Sequence, residues 1–359
     1  MEDAIAAPNG SRLKRRWLMI AKFTLFAVLM YFVSLRAVAL WQDSPPIKLH
    51  VDVRWLVPSA VLYMVGWLPS VWFWHALLTR MDKRPGWYAT LRAYYVGHLG
   101  KYVPGKALVL VIRGGMLKES GGNPVLAGLA AVYETLVSMS SGIAIAVALA
   151  PAVIPDGLWE RMPTAMQFLR QQPLLVPIVV FAAAIASTPF SAWLFTRIGR
   201  KAMPRATDAV PRTSVTHSGD RQDAYPTVTC ATDAAPKTEI TARLVLQGFL
   251  VTSLGWLFLA LSLGCALQAI SDEPLDLMQF PVWLASISLS TFSGCVVLIA
   301  PGGLGVREWV LIETLKDQPG IGGEKAIVVA GLVRVIWFAA EMAMAGLLYL
   351  IKPVVQSAK

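Results

Sequence analysis

Gly100, Gly105 and Lys106 stand in the string GKYVPGKA at nearly the spacing of a phosphate-binding loop. The last position of that loop is Ala107, which has no hydroxyl to hold a magnesium ion. The flanking residues are apolar and helical in pattern, whereas a nucleotide loop follows a buried strand. Nucleotide binding is therefore not expected, yet part of the same physics remains. Pro104 cannot continue a helical hydrogen-bond ladder, and Gly105 accepts unusual backbone angles. A helix restarting after them opens with unpaired N–H groups and the positive end of its dipole. Lys101, Lys106 and, nearly two turns on, Arg113 add positive charge. Together they form a cradle suited to an anion such as a lipid phosphate. A simple kink with lysines reaching for the membrane surface would account for the same residues.

A second string, PGGLGVRE at 301–308, repeats the theme. Gly302, Gly303 and Gly305 follow Pro301 too closely for an ordinary helix, given what glycine costs in a helix interior. Irregular backbone at membrane depth is tolerated where it is buried in protein or lines a polar cavity. Arg307 and Glu308 follow at once, as part of a charged lining or as groups facing water. Three further charges fall inside apolar runs: Glu134, Arg334 and Glu341, the last two on one helical face. A lone charge at the centre of a bilayer costs roughly 2.5–3.5 kcal/mol, so such residues pair or line a pathway. Arg334 is expected to pair with Glu134 or Glu308. An interhelical pair that only fixes packing is the plainer alternative.

The elements that must position these residues are membrane helices. Of 359 residues, 56% are hydrophobic and 15% charged, and the mean hydropathy is +0.56. Soluble domains are nearer half apolar and a quarter charged. Candidate spans are 17–40, 55–79, 124–150, 173–196, 243–270, 280–300 and 326–351, since about 20 apolar residues cover a bilayer core. The first is read as a retained span, because it is too long for the core of a cleaved signal. Trp17, Trp41, Trp55, Trp159 and Trp283, near the ends of these runs, fit interfacial belts.

The net charge of +10 does not point to nucleic acid, because its distribution follows the positive-inside pattern. It places the N-terminus, 80–118, 197–243 and 301–325 on the cytoplasmic side. The stretch 200–240, rich in Pro, Thr, Asp and Arg, reads as a disordered cytoplasmic linker between membrane halves 1–199 and 241–359. The halves echo each other weakly: each has a Pro-Gly break, basic residues, a Gly-Gly turn and a span holding Ala-Gly-Leu and an acidic residue. Interrupted helices at matching places in two halves point to a transporter site. Segments 87–118 and 281–316 are thus expected as re-entrant helical hairpins. The fold class is an all-α polytopic membrane protein of about seven spans and two such hairpins.

Enzyme constellations are missing. Asp272, Glu273 and Asp276 are too few for a prenyl-transferase motif and lie on the wrong side. Ser293 has no protease frame around it, and Cys230, Cys265 and Cys295 form neither a disulfide framework nor a metal motif. No cofactor or metal is expected, and no catalytic residue.

Tyr102-Val103-Pro104-Gly105-Lys106 with Arg113, Glu134, and Pro301-Gly302-Gly303-Leu304-Gly305 with Glu308 resemble the lysylphosphatidylglycerol synthase transmembrane-region, or flippase-like, family. The resemblance covers nearly the whole chain outside 200–240. It implies a polytopic protein of the cytoplasmic (inner) membrane that binds, and in some members flips, anionic or aminoacylated lipids or lipid-linked sugars. Two departures stand out: Thr135 follows Glu134 where the family often has Arg, and no aminoacyl-transfer domain lies within these residues. Lysine transfer is therefore not implied. The expected function is movement of an anionic or polyprenyl-linked headgroup across the membrane. Lys101, Lys106, Arg113 and Arg307 would attract it, the Pro-Gly breaks would shape the cavity, and Glu134, Glu308, Arg334 and Glu341 would form an internal polar path. The alternatives are a non-catalytic subunit presenting a lipid-linked substrate to a separate transferase, and an intramembrane transferase.

Overall fold

A computed structural model describes residues 51–81, 85–102, 107–154, 174–202, 240–297 and 300–351, with residues 38, 160 and 172 singly. Among the described residues every regular element is helical. The main helices are α1 (Leu56–Met81), α2 (Trp87–His98), α3 (Ala107–Lys118), α4 (Pro124–Ala148) and α5 (Leu175–Ala202). They continue with α6 (Ala242–Gln268), α7 (Phe280–Val296), α8 (Val306–Leu315) and α9 (Gly322–Leu350). Local chemistry sets several starts. Asn123 accepts from the N–H groups of Val125 and Leu126 ahead of Pro124, and Thr241 accepts from that of Leu244. Each satisfies donors that a helix N-terminus leaves open.

Five helical segments are long and apolar enough to cross a membrane: 53–81, 124–148, 175–199, 242–268 and 322–350. Apart from residue 38, the expected span 17–40 lies outside the described residues, as do 203–239 of the expected linker. The expected span 280–300 is instead the 17-residue α7, which packs against α8 beyond the Pro-Gly break. Its apolar character has another source: Val282, Trp283, Leu284, Ala285, Ser286 and Ile287 are all buried, so the first half of the helix is covered by protein on every side. Trp283, expected in an interfacial belt, is among them and packs where a Cβ on Gly264 would stand.

The frame of the bundle is the antiparallel pair α1–α6. Ser59 Oγ donates to the Ser262 carbonyl at 2.8 Å, and Ser262 Oγ donates to that of Ser59 at 2.8 Å. One end further, Gly66 and Gly255 bring the backbones together; a Cβ on Gly255 would sit 2.6 Å from the Gly66 carbonyl oxygen. Small residues permit such approach in lipid, where packing rather than water exclusion holds helices together.

Because α1 and α6 run in opposite directions, the hairpins that follow them start from opposite ends. The Asp52 N–H donates to the Ala269 carbonyl at 2.8 Å, which fixes the end of α6 beside the start of α1. Hairpin one (α2–α3) leaves from the far end of α1, and hairpin two (α7–α8) from the Asp52 end. Gln279 Nε2 donates to the Pro319 carbonyl at 3.0 Å, so hairpin two returns to the end where it began. The turns Leu99–Tyr102 and Pro301–Gly303, near the two tips, touch each other. The remaining packing is reciprocal: α4 lies on α7, and α9 lies on α2. Tyr88 Oη donates to the Ile351 carbonyl at 2.8 Å, which sets the end of α9 beside the start of hairpin one.

Residues 316–321 therefore lie at the opposite end of the bundle from 85–87. The charge pattern, which put 301–325 on the same side as 80–118, is corrected on this point. Arg307 counted there as a loop charge, whereas it lies against α7. Lys316 is held by Glu313 at 2.6 Å.

Candidate functional site

The two hairpin tips meet between α4 and α9, and the intramembrane charges gather there. Each carboxylate faces one principal cation. Arg113 of α3 meets Glu134 of α4 at 3.2 Å, with both side chains only 3% exposed. Tyr94 Oη donates to the other oxygen of Glu134 at 3.1 Å. The Arg113 guanidinium also lies over the rings of Tyr94, at 3.8 Å, and Trp74, at 5.1 Å. Such stacking suits the weakly hydrated guanidinium.

Glu341 of α9 is reached from hairpin one. Lys101 Nζ approaches its Oε1 at 2.5 Å, Tyr102 Oη donates to its Oε2 at 2.9 Å, and Tyr63 Oη donates to Oε1. His98 Nε2 stands 3.7 Å away, beyond hydrogen-bond reach. Four groups from α1 and hairpin one thus converge on one carboxylate of the other half. Burying a charge requires this density of partners.

Glu308 serves hairpin two. Its Oε2 accepts from the Gly305 N–H at 2.7 Å, which caps α8, and its Oε1 lies 3.6 Å from Arg334 Nε. Arg334 NH1 donates to the Gly302 carbonyl at 3.0 Å, so α9 grips the break itself. That break needs glycine: φ is +58° at Gly302, +72° at Gly303 and +81° at Gly305, a region where a Cβ clashes. Arg307 is different. Its NH2 donates to Thr291 Oγ1 at 3.3 Å and its guanidinium lies 5.1 Å from the Trp337 ring centroid. Among the described residues it has no carboxylate partner.

Whereas Glu308, Arg334 and Glu341 border a much smaller void of about 20 Å³, Arg113, Glu134, Lys101 and Arg307 border a cavity of about 420 Å³ between hairpin one, α4 and the tip of hairpin two. Arg113, Glu134, Lys101 and Arg307 form its polar part, while Val109, Leu110, Val132, Leu136 and Met139 form an apolar wall. Val132 and Leu136 are also exposed on the outside of α4. The cavity therefore joins a charged floor to the lipid-facing surface. Arg113 Nε, buried on its border, has no hydrogen-bond partner among the described residues. The arrangement can hold an anionic group on Arg307 and Arg113 while an apolar chain runs along α3 and α4.

The residues singled out by sequence are brought together here, with Arg334 facing Glu308 and Glu134 facing Arg113. Pro104, Gly105 and Lys106 lie outside the described residues. Sequence reasoning missed Tyr63, Tyr94, Thr291 and Trp337, and it named Tyr102 only as part of the Pro-Gly motif. A tyrosine within an apolar run, as in YMVGW at 63–67, was the available signal, because its hydroxyl needs a partner there. Among the described residues no group of His, Cys, Asp and Glu could hold a metal ion.

No curated protein matches the chain. The model of a membrane-embedded family, described as the lysylphosphatidylglycerol synthase TM region, matches residues 19–345. A match over most of the length, on a bundle with five helices able to cross a bilayer, settles the kinship: the chain belongs to the lysylphosphatidylglycerol synthase transmembrane-region family.

Proposed function

We propose that this protein moves an anionic lipid headgroup across the cytoplasmic membrane, without a catalytic step of its own. The observation that carries the reading is Arg307, a cation without a carboxylate partner among the described residues, on the border of a cavity whose other wall is apolar. Lys101 and Arg113, which also border it, are each answered by a glutamate, so the unanswered Arg307 makes the chamber favour a negatively charged guest. In this reading the two hairpins are re-entrant, dipping from opposite faces with their tips near mid-membrane. Broken helices of this kind place binding groups at the midplane of transporters. The N-terminus is cytoplasmic, and the start of hairpin one and the end of α9 share that side.

The test is native mass spectrometry of the purified protein, comparing wild type with Arg307→Gln. Wild type is expected to retain an anionic lipid, and the variant to lose most of it. Equal retention by both, or no selective lipid on wild type, removes the headgroup site and with it the transport reading.

A further inference from the structure

We infer that His98 is a proton site coupled to the cavity: an anionic headgroup bound there draws one proton onto the imidazole, so that headgroup and proton bind together. The anion in this inference rests on the lipid reading above. His98 is the last residue of α2, just ahead of the tip of hairpin one. Its side chain is 12% exposed and borders the large cavity. Its ring lies between Trp67 of α1, with centroids 4.5 Å apart, and Tyr94 of α2, at 6.0 Å. Nε2 is buried and has no hydrogen-bond partner among the described residues. Buried polar groups are normally paired, and one that is not points to a partner that comes and goes.

Each element around the ring bears on that proton. From α1 come only the indole of Trp67 and the phenol of Tyr63, and from α7 the Cys295 thiol. The cations are Lys101 at the tip of hairpin one, Arg113 of α3 and Arg307 of α8; the carboxylates are Glu134 of α4 and Glu341 of α9, whose Oε1 is 3.7 Å from His98 Nε2. Three cations and two carboxylates leave one positive charge in excess while the cavity holds no anion. A phosphodiester on Arg307 cancels that excess and attracts a proton to a nearby group able to take one. Lysine and arginine already carry theirs. Glu134 is held by Arg113 and Tyr94, and Glu341 by Lys101, Tyr63 and Tyr102. His98 has no such partner. The proton comes from water that enters with the headgroup and goes to whichever ring nitrogen lacks one. Nε2–H then faces Glu341 Oε1, and a small approach makes that contact a charge-assisted hydrogen bond.

Coupling of this kind is reciprocal. Acid strengthens the hold on the headgroup, and the headgroup holds the proton. A headgroup taken up on the more acidic face and released on the other gives its proton up there, so a proton gradient sets the direction of net movement.

The test is isothermal titration calorimetry of the detergent-solubilised protein with dihexanoylphosphatidylglycerol, from mildly acidic to mildly alkaline pH. The phosphodiester of this probe stays ionised throughout that range. Two buffers of different ionisation enthalpy give affinity and proton uptake together. Wild type is expected to take up close to one proton per lipid where uptake peaks, and its affinity to weaken there by about tenfold per pH unit. His98→Phe, which keeps a ring between Trp67 and Tyr94, should bind at the weak alkaline affinity of wild type at every pH and take up no proton. Should that variant fail to give a monodisperse protein, His98→Gln replaces it, and the wild-type uptake is decisive without either. Lipid bound by wild type without proton uptake, or uptake that persists in the His98 variant, overturns the proton site and leaves the headgroup site standing. No lipid bound by wild type at any pH removes the headgroup site, and the proton site with it.

Discussion

Arg113 and Glu134 are enclosed to the same degree, each with 3% of its side chain exposed, and this sets what their loss costs. Removing one partner of such a pair strands the other charge, at about 3–5 kcal/mol. Glu134→Gln is expected to lower the thermal unfolding midpoint in detergent sharply, and Arg113→Leu with Glu134→Leu to recover most of the loss. Equal damage by both variants would show that the pair's shape, not its charge, is what matters. Arg334 and Glu308 are 18% exposed each and 3.6 Å apart, so the ion pair itself contributes less. The charges were legible in the sequence because a charge in an apolar run has to be explained. The hydroxyls of Tyr63 and Tyr102, which help to hold Glu341, were not. Phenols fit apolar runs and raise no contradiction there. Nor was the pairing legible, since which arginine meets which glutamate depends on the register of helices far apart in sequence.

At the scale of elements, the tip of hairpin two is the most demanding backbone described. Gly302 has φ of +58°, and a Cβ there would stand 2.9 Å from Arg334 NH2 and 3.1 Å from the Tyr102 ring. Gly302→Ala is expected to cost about 1–2 kcal/mol from the backbone alone. It should also loosen the Arg334 contact to the carbonyl of residue 302, and thermal unfolding beside a Gly331→Ala control checks this. Gly331 has nothing near its Cβ position, so that control should be neutral or stabilising. The Pro301–Gly305 string announced this break because no helix tolerates so many glycines. The nature of α7 was not announced. An apolar helix covered by protein and one facing lipid look alike in composition, and only its 17-residue length separates it from the spans.

For the whole molecule, the α1–α6 pair is the frame on which the halves join, beside the α4–α7 and α2–α9 contacts. Gly255→Leu would drive a side chain into the Gly66 carbonyl, 2.6 Å from where its Cβ must stand. It is expected to abolish a monodisperse peak in size-exclusion chromatography, whereas Ser59→Ala with Ser262→Ala should leave the peak intact at a cost of about 1–2 kcal/mol. The likeness of the halves was visible in their matched breaks, but their opposite orientation was not. Loop charge was the only sequence signal for direction, and Arg307 distorted it by lying inside the structure. The Lys101–Glu341 contact also has a consequence for synthesis. Lys101 and Glu341 are 240 residues apart. A ribosome adding about 5–20 residues per second leaves the lysine without its carboxylate for roughly 10–50 s. During that interval the nascent chain holds an unanswered charge on an unfinished hairpin. A translation product that stops short of α9 keeps it, and membrane quality control would meet that charge as the mark of an incomplete chain.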